Sequence, residues 1–217
     1  MTVADDSFKE LRSEMVSRQI FSRGITGPKI LEAFKSVARH VFVPDSQKSF
    51  AYNDCPLPIG NDQTISQPFI VALMTKTLDV KAGMSVLEIG TGSGYQAAIL
   101  GFLGAKVYSV ECIEPLAKKA QELFSLLGYK IAVKIGDGTL GWPENSPYDR
   151  IIVTAAAPEI PEALIAQLKI EGKLVIPLGK RFTQDLVVVC KISQNEVKKE
   201  SICGCRFVPL VGKYGWN

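Results

Sequence analysis

The sequence predicts an α/β fold, a doubly wound and mostly parallel sheet, on two observations. From Gly83 onward, apolar runs of strand length alternate with amphipathic stretches of helical period, and a glycine-rich turn, GTGSG (90–94), joins the first run to the first such stretch. Apolar strands separated by helices imply parallel strands joined by right-handed crossovers, with both faces of the sheet covered. A length of 217 residues suits one domain, with 1–80 forming N-terminal helices and a long loop and 81–217 forming the core.

The elements follow in order. Phe8, Leu11, Met15 and Ile20, then Phe34 beyond the Gly27-Pro28 break, recur at helical spacing, so the chain opens with short helices. Residues 52–68 carry Pro56, Pro58, Gly60 and Pro68, a composition that stops regular structure and predicts a long ordered loop of the kind that carries function. FIVALMTKTL (69–78) reads as a buried helix. The strand-like runs are 85–90, 106–111, 131–136, 150–155, 172–178 and 185–192. Helical stretches lie between the first four, read at 95–103 and at 115–128, where Leu116, Ala120, Leu123 and Leu127 share a face. After residue 172 the crossovers end. DLVVVCKI (185–192), the polar SQNE turn and VKKESICGCRFVPL (197–210) predict an antiparallel hairpin that finishes the sheet.

Composition narrows the function classes. A hydrophobic fraction of 47% and a charged fraction of 22% are those of an ordinary soluble protein, and no apolar run approaches the roughly 18 to 20 residues that span a bilayer. The N-terminus MTVADDSFKE has neither a basic n-region nor an apolar h-region, so the expected location is cytoplasmic, with no membrane partner. A net charge of +3, from 25 basic residues scattered among 22 acidic ones, implies no nucleic-acid partner. Five cysteines form an odd set without zinc-finger spacing, which predicts reduced thiols and no metal site. A monomer is the expected state.

The turn in VLEIGTGSGYQAA (86–98) predicts a ligand site. Gly90, Gly92 and Gly94 let a ligand approach the backbone, and the following helix start adds oriented amides at a crevice beyond the strand ends. Glu111, at the end of the second strand, can accept hydrogen bonds from both ribose hydroxyls of an adenosine, a role shared by NAD and S-adenosylmethionine sites. Two details favour S-adenosylmethionine: Glu88 extends the motif to E-x-G-x-G-x-G, with Thr91 inside it, and no tyrosine has a lysine four residues on. Asp137, in GDG after the third strand, is placed to bond an adenine amino group. The TAAAP stretch (154–158) lacks the Asn/Asp-Pro-Pro-aromatic signature of enzymes that methylate nucleobase amines.

NDQTISQP (61–68) offers hydroxyls and amides, in a chain with a single histidine, His40. Thr64 and Ser66 are the candidate reacting-site residues, and Asp62 is a candidate for substrate contact or for ordering the loop. With RHVFVP (39–44), AYNDCPLPIGNDQTISQP (51–68), VLEIGTGSGYQAA, YDRIIVTAAAP (148–158), EGKLVIPLG (171–179) and RFVPLVG (206–212), the chain resembles the protein-L-isoaspartate (D-aspartate) O-methyltransferase family over nearly its whole length.

The resemblance implies a Rossmann-like class I methyltransferase fold with seven strands, S-adenosyl-L-methionine as donor and S-adenosyl-L-homocysteine as product. It implies transfer to the free α-carboxyl of L-isoaspartyl and D-aspartyl residues in damaged proteins and peptides, which starts conversion to L-aspartate through a succinimide. It marks Ser66, with Thr64, as the active-site residues. Donor contacts fall on Ile65, Ser66, Gly90, Glu111, Asp137 and Gly138, joined by Glu88, Thr91, Gly92 and Gly94 from the loop itself. Peptide contacts fall on Phe207, Val208 and Pro209, with main-chain pairing along RFVPLVG. Phe69 stands where some members have His or Tyr, and Glu171 stands where Gly is commoner, which reads as a surface change.

This chemistry explains the missing imidazole. A carboxylic acid with an ordinary pKa of about 4 is already ionised at neutral pH, so no proton has to be removed. Two other readings share the same fold: transfer to a different acceptor, such as a small carboxylate or a natural-product hydroxyl, and a noncatalytic donor-binding module.

Overall fold

The computed structural model describes residues 6–216. The N-terminal region holds α1 (Lys9–Glu14), a π-helical turn (Met15–Ile20) and α2 (Pro28–Ser36), which starts where Pro28 occupies the first helical turn. Residues 52–68 contain a short antiparallel hairpin, β1 (Leu57–Gly60) and β2 (Gln63–Ile65), where composition predicts only a loop. The physical reason is the turn. Asn61 and Asp62 take φ values of 53° and 56°, the left-handed pair that matches hairpin twist, and Leu57 and Ile59 are buried while Pro58 and Gly60 are exposed. The helix α3 (Pro68–Leu78) follows.

The core alternates β3 (Ser85–Ile89), α4 (Tyr95–Phe102), β4 (Lys106–Glu111), α5 (Glu114–Leu127), β5 (Ala132–Ile135) and β6 (Tyr148–Val153). It continues through α6 (Glu162–Gln167), β7 (Leu168–Lys180), β8 (Thr183–Lys191) and β9 (Val197–Cys205). Seven strands form one sheet in the order β5-β4-β3-β6-β7-β8-β9; β3 to β7 run parallel, and β8 and β9 are antiparallel. Between β5 and β6, where the sequence shows no helical stretch, the chain makes two 3-10 turns, Gly138–Leu140 and Pro143–Asn145. The next crossover carries the short α6, which periodicity did not reveal in six residues.

Strand alternation divides the interior into two layers. Val86, Val107, Ile152 and Val175 face one layer with α3, α4, α5 and the N-terminal region. Leu87, Val110, Ile151, Val153 and Leu174 face the other, with Leu164 of α6 and Leu210 of the C-terminal segment. At the edge, β9 exposes Lys198, Lys199 and Glu200, charges that discourage pairing with a second sheet. The chain reverses winding between β3 and β6, so the crevice beyond their C-terminal ends lies at the topological switch point.

Candidate active site

The glycine turn leaves β3 at that crevice. Gly90 N donates to Val110 O (2.8 Å), and Thr154 Oγ1, at the end of β6, donates to Gly90 O (2.7 Å). Gly94 has a packing task. At φ 87° it starts α4, and a Cβ there would stand 2.7 Å from the ring of Phe124 on α5.

Glu111, at the end of β4, is 5% exposed and aims at the turn: Oε2 accepts from Gly92 N (2.8 Å) and Oε1 from Ile113 N (2.9 Å). Oε1 also accepts from the Cys112 thiol (3.7 Å), and Oε2 keeps a lone pair for a ligand. Beneath the turn, Ser109 donates to Glu88 Oε2 and lies 2.6 Å from Thr91 Oγ1. Burial pushes the Glu88 carboxyl up to about 8; the Ser109 hydrogen bond opposes this and the Glu111 charge adds to it. Glu88 is therefore mostly protonated at neutral pH.

The β1–β2 hairpin forms the opposite wall. Ile65 is buried and Thr64 exposed, as strand alternation requires, and Ser66 stands between the end of β2 and the start of α3. The C-terminal segment forms the rim: Ala156 N donates to Val208 O (2.8 Å) and Leu210 N to Ala156 O (2.7 Å).

These four pieces enclose a cavity of about 230 Å³. The hairpin contributes Thr64, Ile65 and Ser66, the turn Gly90, Thr91 and Gly92, and the rim Val208 and Pro209, with Glu111 and Gly138 completing the wall. Among the described residues, no histidine or lysine lines it. Among the described residues, no group of three or more His, Cys, Asp or Glu side chains is placed to hold a metal.

The profile of the protein-L-isoaspartate(D-aspartate) O-methyltransferase family matches residues 10–215. The chain belongs to this family. A protein-L-isoaspartate O-methyltransferase of Syntrophus aciditrophicus is 55% identical over 215 residues, covering 98% of this chain and 99% of that one. One from Geobacter metallireducens is 52% identical over 212 residues, covering 97% and 98%. A solved protein-L-isoaspartate O-methyltransferase superposes with a TM-score of 0.86 at 30% identity, covering 94% of this chain and 67% of that one. A putative Plasmodium falciparum member, solved in complex with S-adenosyl-L-homocysteine, has a TM-score of 0.80 at 24% identity, covering 92% and 98%, a likeness of fold.

Several expected site residues of this family member lie outside the cavity wall. Glu88 and Gly94 sit behind the turn, as described. Asp62 is exposed at the hairpin tip in a left-handed conformation, which suits ordering the loop. Phe207 is half-buried against the core; Gln184 Oε1 accepts from its amide (2.9 Å). Asp137 is committed to the fold: Oδ1 accepts from Thr139 N (2.8 Å) and Oγ1 (2.6 Å), and Oδ2 from Lys213 N (2.8 Å). Burial alone would raise its pKa, but these hydrogen bonds outweigh that and hold it below the usual carboxylate range. Along RFVPLVG, Ala156 pairs with one side of the segment, through Val208 O and Leu210 N. Phe69 is away from the cavity, with the Arg23 guanidinium 3.3 Å from its ring centroid.

Among the residues that escaped sequence reasoning, two bear on the site. Thr154 lines the cavity; its signal was its position after the fourth strand. Arg39, in the quoted RHVFVP stretch, is 0% exposed and reaches the hairpin from behind. Arginine is read as a surface residue unless a buried partner is known, and its partners here are backbone carbonyls without a sequence signature.

Proposed function

We propose that this chain transfers a methyl group from S-adenosylmethionine to the free α-carboxyl of isoaspartyl residues, and of D-aspartyl residues, in damaged proteins and peptides. One observation carries the proposal. One cavity is lined by Thr64 and Ser66 together with the glycine turn, Glu111, Val208 and Pro209, and among the described residues no histidine or lysine base lines it. Such a wall suits an acceptor that arrives ionised.

The residues present fit the donor. Glu111 turns a carboxylate with a free Oε2 lone pair toward the ribose; the glycine turn admits close backbone approach; Ile89, Val110 and Leu210 give apolar walls, and Gly138 adds backbone to the lining. When bound, S-adenosylmethionine supplies an electrophilic methyl group on a sulfonium. The Ser66 and Thr64 hydroxyls hold one carboxylate oxygen and leave the other facing the donor side. Alignment of this kind contributes up to about 7 to 11 kcal/mol. The apolar walls also exclude water from two opposite charges that fade as they react. Once formed, the ester closes to a succinimide as the neighbouring backbone nitrogen displaces methanol, and water reopens the ring in part as normal aspartate.

In this reading 1–217 act as one catalytic unit, with 1–80 supplying the helices and hairpin and 81–217 the donor-binding sheet. The chain works as a cytoplasmic monomer without nucleic-acid or membrane partners. Support comes from its small scattered charge and from the described residues, where no helix is long and apolar enough to cross a membrane.

The test offers labelled donor with an isoaspartyl peptide and with its normal aspartyl twin. Labelling of the first alone is expected. Equal labelling, or none, rejects the proposal.

A further inference from the structure

Behind the Ser66 wall lies a buried cation that the chemistry above does not use. Arg39 is 0% exposed and spends its guanidinium on three backbone carbonyls: Nε to Ala51 O (2.7 Å), Nη1 to Ser66 O (2.8 Å) and Nη2 to Cys55 O (3.3 Å). Its carbon lies 5.4 Å from the ring centroid of Tyr95, another residue of the cavity wall. Among the described residues no carboxylate pairs with it; Asp54, whose charge bears on it, is held by Arg23 at 2.8 Å. Burial lowers the group to about 10, so it stays charged at neutral pH.

A buried charge without a counter-ion is costly, and a fold would not keep one where a neutral side chain served equally. Only a planar fork of donors reaches three divergent carbonyls at once. Those carbonyls bracket the segment carrying the hairpin, and one belongs to Ser66 itself, at a point where the β2 ladder has ended and α3 has not begun.

We propose that Arg39 is a positioning residue for methyl transfer, fixing the Ser66 backbone so that its hydroxyl meets the acceptor carboxylate. This rests on the reading that Ser66 orients the acceptor. Two arms anchor the clamp: Tyr52 O accepts from Gln19 Nε2 (2.8 Å), and Tyr52 OH lies 2.7 Å from His40 Nδ1. The first ties the Arg39-bound segment to the π-helical turn Met15–Ile20, and the second ties it to the residue beside Arg39.

The test measures kcat on the isoaspartyl peptide for Arg39→Lys, in the parent and in a Ser66→Ala background, each well below its own melting temperature. Arg39→Lys is expected to lower kcat by about ten-fold or more in the parent, and by no more than about two-fold once Ser66 is alanine, because coupled residues are non-additive. Equal losses in both backgrounds, or a parental kcat, overturn the proposal. Arg39→Gly gives a second measurement: methylguanidinium should restore turnover when Ser66 is present and not when it is alanine. If methylguanidinium restores folding without turnover, Arg39 serves stability alone and the proposal fails. If the unmodified chain does not discriminate the paired peptides, the proposed function itself fails, and this inference with it.

Discussion

At the scale of the residue, the side chains that face the cavity and those that support it from behind have different consequences. Ser66 lines the cavity, and under the proposed function Ser66→Ala removes one hydrogen bond to an anionic acceptor. A bond to a charged group contributes about 1.5 to 3 kcal/mol, so turnover should fall roughly 10- to 150-fold. Calorimetric affinity for S-adenosylhomocysteine should change far less, and unchanged turnover would remove Ser66 from the site. Glu88 touches no ligand space, and its consequence is a pH dependence of stability. From the ordinary glutamate value of 4.5 up to about 8, the folded chain keeps a proton on Glu88 that the unfolded chain has lost. This contribution is complete below 4.5 and is lost as pH rises through about 8, with a slope of at most about 1.4 kcal/mol per pH unit. Glu88→Gln keeps the neutral shape and removes the slope. Thermal melts near acidic and alkaline ends of that window should lie closer together for the variant than for the parent; an unchanged gap would mean that Glu88 is ionised in the fold. The glutamate was legible as part of the glycine motif, but its protonation was not, because that depends on complete burial outweighing the Ser109 hydrogen bond.

At the scale of the element, strands and the longer helices were legible because their apolar periods run for several residues. The β1–β2 hairpin was obscured by prolines that count against regular structure, although Pro58 sits on an exposed position of a two-stranded edge where no ladder donor is needed. The Glu171 substitution, read as a surface change, also has a backbone meaning. Glu171 is exposed but takes φ 64°, next to Gly172, where β7 breaks register with β6. A Cβ on Gly172 would stand 2.7 Å from Lys169 O, so the chain needs glycine at 172 and tolerates a strained residue at 171. Glu171→Gly should relieve that left-handed conformation and raise stability by about 0.5 to 1 kcal/mol, a rise in Tm of roughly 1 to 4 °C, with turnover unaffected. A lowered Tm would show that Glu171 makes a compensating contact.

At the scale of the whole molecule, the sheet was legible and the assembly of the site was legible only in part. The glycine turn and Glu111 announce themselves because local chain geometry demands glycines and because the acid ends a strand. The joining of residues 63–66 to 208–211 depends on where distant segments are tied, and those ties leave little trace in sequence. Asp137 shows this well. Its position after the third strand suggests a ligand contact; in the fold it also accepts from Lys213 N, 76 positions away, and a Cβ on Gly212 would fall 2.0 Å from its Oδ1. The rim is thereby anchored to the loop after β5, while the hairpin is anchored to the N-terminal region, so the cavity is closed by two separately fastened pieces. A ligand that fills the cavity should bind them together. Adding S-adenosylhomocysteine at about one hundred times its Kd should stabilise the chain by about 2.7 kcal/mol, a Tm rise of roughly 5 to 11 °C. Amide exchange should slow together in residues 57–66 and 206–212, as well as in the glycine turn. Protection confined to the turn would show that the hairpin and the rim do not close on the donor, and that the cavity works as an open cleft.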